Sequence, residues 1–166
     1  REDFKSLNIC TVVGFPLGYS TTEAKIAETA AALKDGANEI DMVINLCDIK
    51  NKDYVKAEKE ISLLKEVTGN NILKVIIETC YLDKSEKIEL CKAVTRAQAD
   101  YIKTSTGFGT AGAALEDIKL MKSNIGPAVK IKAAGGIRSK EELEAYIKAG
   151  CSRIGTSSAI SMLLKE

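Results

Sequence analysis

The chain is 166 residues long, 45% hydrophobic and 28% charged, with 24 basic against 23 acidic side chains. A chain of this size buries roughly 70% of its unfolded surface, enough for a single domain, expected to span residues 1–166. The formal net charge of +1, mixed along the chain, argues against a nucleic-acid or acidic-membrane surface, and no run approaches the ~18 apolar residues of a spanning helix.

Short β-branched runs alternate with longer amphipathic stretches throughout. The first run, Ile9 to Gly14, precedes a helix predicted from about Thr22 to Lys34. Glu39 to Ile44 is followed by a helix whose apolar Tyr54, Ala57, Ile61 and Leu64 recur at helical spacing. Ile72 to Ile77 leads to a helix from about Ser85 to Ala97. Asp100 to Lys103 leads through a glycine-rich loop to a helix from about Ala114 to Ser123. The fifth run, Ala128 to Lys132, precedes a helix over Lys140 to Ala149, where Ser139 and Glu142 are spaced as a capping box. The sixth, Arg153 to Gly155, runs into a last helix near Ala159 to Leu164. Gly36 and Gly150 stand where helix C-termini favour glycine.

Six strand–helix units with short connections predict a parallel α/β sheet. An open sheet between helix layers would read as apolar on both faces of each strand. Here alternation puts Glu39, Asp41 and Val43 on one face and Ile40, Met42 and Ile44 on the other. The next strand divides in the same way, with Lys74, Ile76 and Glu78 opposite Val75 and Ile77. A charged inner face favours a barrel, the (β/α)₈ type, whose chemistry gathers at the C-terminal strand ends.

Lys103 ends an apolar strand and precedes a loop of small residues, so its amine points into the barrel mouth. It reads either as a structural ion pair to Asp41 or Glu78 or as a nucleophilic amine. Lys132 on the next strand lies level with it, and two ammonium groups that close push one towards the free amine. Asp41 is the candidate for proton transfer, a role compatible with serving as a counter-ion. Lys130 lies deeper, at the strand start. Gly135-Gly136 and Gly155-Thr156-Ser157-Ser158 follow successive late strands, the pairing of loops that binds phosphate in such barrels, with a helix start assisting. They also read as ordinary turn glycines with an N-cap serine. There is no histidine, which disfavours zinc sites and hydrolase triads and leaves Cys80 without an activating base. The five cysteines are scattered and odd in number, as expected of reduced thiols in the cytoplasm. The polar start, Arg1 to Lys5, lacks the apolar core of a signal peptide.

Six segments carry a resemblance in register. They are Thr11-Val12-Val13-Gly14-Phe15-Pro16-Leu17-Gly18, Glu39-Ile40-Asp41-Met42-Val43-Ile44-Asn45, Lys74-Val75-Ile76-Ile77-Glu78-Thr79, Ile102-Lys103-Thr104-Ser105-Thr106-Gly107-Phe108, Lys132-Ala133-Ala134-Gly135-Gly136-Ile137-Arg138 and Arg153-Ile154-Gly155-Thr156-Ser157. In this order they resemble the motifs of the deoxyribose-phosphate aldolases. The resemblance implies a class I aldolase that cleaves 2-deoxy-D-ribose 5-phosphate to acetaldehyde and D-glyceraldehyde 3-phosphate, without metal or organic cofactor. It implies a Schiff base on Lys103, a pKa-depressing partner in Lys132 and proton transfer at Asp41. Phosphate would be held by Gly135, Gly136, Gly155, Ser157 and Ser158, with Gly107 close by. Phe108 stands where some members carry a lysine. The resemblance also implies two strand–helix units before the Thr11 strand, so the six units here correspond to units three to eight and the barrel is expected to be incomplete. A second reading is a truncated fragment that keeps the phosphate motifs without catalysis, and a third is a phosphate-binding isomerase barrel. The expected partner is a small phosphorylated deoxy sugar, with no nucleic acid or membrane, in a chain that can form a homo-oligomer.

Overall fold

The computed structural model describes residues 6–163. The elements run β1 (Cys10–Val13), α1 (Thr22–Lys34), β2 (Glu39–Val43), α2 (Leu46–Lys50), α3 (Tyr54–Thr68), β3 (Ile72–Ile76), α4 (Lys84–Arg96), β4 (Tyr101–Lys103), α5 (Leu115–Asn124), β5 (Lys130–Ala134), α6 (Lys140–Ala149), β6 (Arg153–Gly155) and α7 (Ala159–Leu163). Leu164, expected in the last helix, lies outside the described residues. The strands form one parallel sheet of six in chain order, each hydrogen-bonded to the next. No described helix is long and apolar enough to cross a membrane.

Strand alternation decides what lies on each face. Ile40, Met42, Ile44, Leu73, Val75, Ile77, Ile102, Ile131 and Ala133 point outward into one core with Ile61, Leu64, Leu90, Val94, Ile118 and Met121 of the helices. The opposite face carries Glu39, Asp41, Lys74, Lys103, Lys132 and Arg153, and it is concave. In a flat sheet, β2 and β5 would be about 14 Å apart at the usual strand spacing. Asp41 of β2 nevertheless meets Lys132 of β5 at 2.7 Å, and Glu39 meets Arg153 of β6 at 2.7 Å. Only a sheet curled around its charged face, as in a barrel, allows both contacts.

The helices are fixed by local chemistry. Asp83 and Ser139 each form a full capping box, with Glu86 and Glu142 respectively. Gly150 ends α6 at φ 114°, in the left-handed region. Lys25 of α1 is fully enclosed, donating to the Val43 carbonyl at 2.8 Å and to Glu60 of α3 at 2.9 Å. That pair ties two helices to the end of β2.

Two local readings need correction. The fifth strand, expected over Ala128 to Lys132, runs Lys130–Ala134. Its first two expected residues belong to a turn in which the Val129 N–H donates to the Gly126 carbonyl at 3.1 Å. Val129 is β-branched and buried, which is what made it look like strand. The short α2 and a 3₁₀ turn at Thr79–Tyr81 were not anticipated, because neither is long enough to show periodicity.

Candidate active site

Asp41, midway along β2, is 2% exposed and is the hub of the concave face. Its Oδ2 accepts from Lys103 Nζ and from Lys132 Nζ, each at 2.7 Å. Its Oδ1 accepts from Lys74 Nζ at 2.9 Å and from the Cys10 thiol at 3.2 Å. Lys74 also reaches Glu39 at 2.6 Å, and Glu39 in turn holds Arg153. The strand register puts Lys103 directly beside Lys132, so the two lie level as expected, although Lys132 sits mid-strand rather than at the strand end.

Burial works to raise the Asp41 pKa, but the charges and hydrogen bonds of Lys103 and Lys132 outweigh it and hold the carboxyl well below the usual carboxylate range. Lys103 is displaced downward, first by burial and also by the Lys132 charge, with Asp41 opposing both. The site therefore pairs a carboxylate that stays ionised with a lysine that releases its proton more readily than usual. A free amine beside a fixed anion and a second ammonium suits attack on a carbonyl followed by proton exchange.

Of the two counter-ions considered for Lys103, the structure selects Asp41. Glu78 lies beyond the end of β3 at φ 50°, a left-handed conformation rare for a side chain of this kind. Its carboxylate accepts from the Thr106 backbone N–H, at 3.2 Å to either oxygen, and from the Thr106 hydroxyl. Glu78 thus steadies the loop after Lys103. Lys130 lies exposed at the start of β5, 5.8 Å over the Tyr101 ring, and is remote from this exchange.

Beyond the strand ends lies a cavity of about 610 Å³ lined by Gly107, Gly135, Gly136, Gly155 and Ser157, together with Thr106 and Arg138. Gly107, Gly135 and Gly136 take φ of 92°, 89° and 78°, conformations that glycine adopts without strain. A Cβ on Gly112 would lie 2.2 Å from the Gly135 carbonyl oxygen, so a glycine that the sequence reading passed over lets the two loops touch. Ser158 immediately precedes α7: its N–H donates to Thr156 Oγ1 at 3.0 Å, and its carbonyl accepts from the Met162 N–H, as at a helix start. Ser157 and Arg138 add polar groups to this glycine-lined cavity. Phe108 is exposed at the rim, edge-on to Phe15 with ring centres 5.4 Å apart. The sequence reading gave no individual role to Arg138, Thr106, Cys10 or Lys74, although Arg138, Thr106 and Lys74 lie within the segments that carry the resemblance and alternation puts Lys74 on the polar face.

Comparison with known proteins follows the same lines. The family model described as DeoC/LacD family aldolase matches residues 2–163. The deoxyribose-phosphate aldolase of Clostridium botulinum (strain Alaska E43 / Type E3) is 69% identical over 160 residues, covering 96% of this chain and 72% of that protein. That of Clostridioides difficile (strain 630) is 57% identical over 160 residues, covering 96% of this chain and 73% of that protein. Among solved structures, the aldolase QR15 superposes with a TM-score of 0.91 at 42% identity, covering 95% of this chain and 72% of its own. A tetrameric deoxyribose phosphate aldolase from Aeropyrum pernix superposes with a TM-score of 0.84 at 34% identity, covering 95% and 67%.

Proposed function

We propose, for a chain that belongs to the DeoC/LacD aldolase family, that aldol cleavage proceeds through a Schiff base on Lys103. The protein is a carbon–carbon lyase of the deoxyribose-phosphate aldolase type, splitting 2-deoxy-D-ribose 5-phosphate into acetaldehyde and D-glyceraldehyde 3-phosphate. One observation carries the assignment of the nucleophile: two lysine ammoniums converge on a single oxygen of a buried carboxylate.

The Lys103 amine attacks the C1 aldehyde of the open-chain sugar, and the carbinolamine loses water to give an iminium. Removal of the O3 proton breaks the C2–C3 bond, and the electron pair passes into the enamine. Glyceraldehyde 3-phosphate leaves, C2 takes up a proton, and water releases acetaldehyde and the lysine. Asp41 and Lys132 move these protons; Asp41, held ionised, is the acceptor and Lys132 the donor. The C5 phosphate rests against Gly107, Gly135, Gly136, Gly155, Ser157 and Ser158, with Arg138 supplying charge.

The six units correspond to the third to eighth of an eight-unit barrel, within one domain of residues 1–166, and the chain assembles with copies of itself. Its length relative to the relatives supports the first point, and the Aeropyrum pernix tetramer supports the last. Five free cysteines support a reducing, cytosolic setting. A second reading, phosphate binding without turnover, draws on β1 and β6 each pairing with only one strand among the described residues. Measuring aldehyde release from phosphorylated and unphosphorylated deoxyribose separates the two. Cleavage that disappears in Lys103→Met and is faster with the phosphate supports the aldolase. Binding of the phosphorylated sugar with no aldehyde released leaves only the second reading.

A further inference from the structure

Lys74 takes no part in the reaction above, yet it is the most completely enclosed charge on the concave face, at 0% exposure. Its Nζ lies between Glu39 Oε2 at 2.6 Å and Asp41 Oδ1 at 2.9 Å, with Cys10 Sγ accepting at 3.4 Å. Burying an ammonium is costly unless it is paired and hydrogen-bonded. Glu39 alone, already joined to Arg153, would supply one partner. The second partner is taken from the carboxylate that also serves Lys103.

Asp41 offers two oxygens to three lysines. Were Oδ1 free, the carboxylate could turn both oxygens towards Lys103, and a fully engaged opposite charge favours the ammonium over the amine. With Oδ1 occupied, Lys103 and Lys132 must share Oδ2. We propose that Lys74 is a positioning residue that clamps Oδ1 of Asp41 and withholds part of its charge from Lys103, keeping Lys103 able to form an imine at neutral pH. Glu39 tunes this clamp from the other side: the more firmly it holds Lys74, the less Lys74 offsets Asp41. This inference rests on the Schiff-base reading and extends it to a residue that touches no reacting atom.

The charged and titratable groups sharing the concave face with Lys103 are Cys10 of β1, Glu39 and Asp41 of β2, Lys74 of β3, Tyr101 of β4, Lys132 of β5 and Arg153 of β6. Glu78 is turned onto Thr106, and Lys130 lies over Tyr101 at the strand start. Two substitutions change this balance in opposite directions. Lys74→Met removes a cation and leaves Oδ1 with only the neutral Cys10 thiol as a partner, which favours the Lys103 ammonium. Glu39→Gln keeps the side-chain shape but removes an anion, which favours the Lys103 amine.

The test measures the rate at which acetaldehyde and cyanoborohydride ethylate Lys103 in the full chain across a range of pH. Lys74→Met should move the midpoint of the profile to higher pH, with labelling about tenfold slower at neutral pH for each pH unit moved, and recovering in alkali. Glu39→Gln should move it to lower pH, and Lys74→Arg should stay near the parent protein. A merely structural role for Lys74 would lower labelling at every pH without moving the midpoint, or would move both variants the same way, and either result overturns the proposal. If Lys74→Met does not fold, the opposite displacement in Glu39→Gln decides alone: a midpoint that stays put or rises overturns the proposal. No label on Lys103 in the parent chain would sink the Schiff-base reading itself. Normal labelling with unmoved profiles would sink only the role of Lys74.

Discussion

In the proposed mechanism Asp41 balances two demands: it must stay ionised to accept a proton, and it must not bind Lys103 so tightly that the amine cannot form. Replacing it with Asn keeps the shape and removes the charge. Asp41→Asn is expected to lower turnover by about 10²–10⁴, the usual range for a proton-transfer group, while Lys103 still accepts a reductively trapped label. Steady-state assays of aldehyde release check the first half and peptide mapping the second; unchanged turnover would reduce Asp41 to a counter-ion. Asp41, Lys103 and Lys132 are legible in the sequence because alternation assigns each to the polar face, although only Lys103 ends its strand. Lys74 is legible only as a member of that face. Its link to the carboxylate used by Lys103 depends on how far the sheet curls, which no single strand's pattern reports. Arg138 was hidden for a different reason: it follows the strand in a loop, where no periodicity assigns a direction.

Between elements, Lys25 of α1 is tied to Glu60 of α3, with the Val43 carbonyl as a second acceptor. Both side chains are nearly or fully enclosed, at 0% and 6% exposure. Breaking such a pair strands a buried charge, at a cost of about 3–5 kcal/mol. Lys25→Ala should therefore lose stability of that order, and denaturant unfolding measures it. A loss below about 1 kcal/mol would mean that water reaches Glu60 once the lysine is gone. The order and type of the strand–helix units were legible because their hydrophobic periods are long enough to read. The boundaries of β5 were not, because Val129 satisfies strand propensity and turn packing equally well.

At the scale of the whole molecule, the curled sheet has two edges. β1 pairs with β2 and β6 with β5, and among the described residues neither has a partner on its other side. Ile9 and Val12 are 39% and 37% exposed beside the β1 edge. Unpaired strands next to apolar side chains invite pairing between chains. Light scattering on the 166-residue chain alone should show dimers or larger species that grow with concentration, whereas a monomer at all concentrations would mean these edges are closed to other chains. The barrel class was legible from the polar inner faces of β2 and β3, but the depth of the curl was not. That curl is what brings Lys103, Lys132 and Asp41 together, so the most direct test of the whole assignment is covalent. Acetaldehyde is added with borohydride, and the modified peptide is located by mass spectrometry. An ethyl group on Lys103, absent in Lys103→Met, is the expected result. An ethyl group on Lys132 with Lys103 unmodified would contradict it.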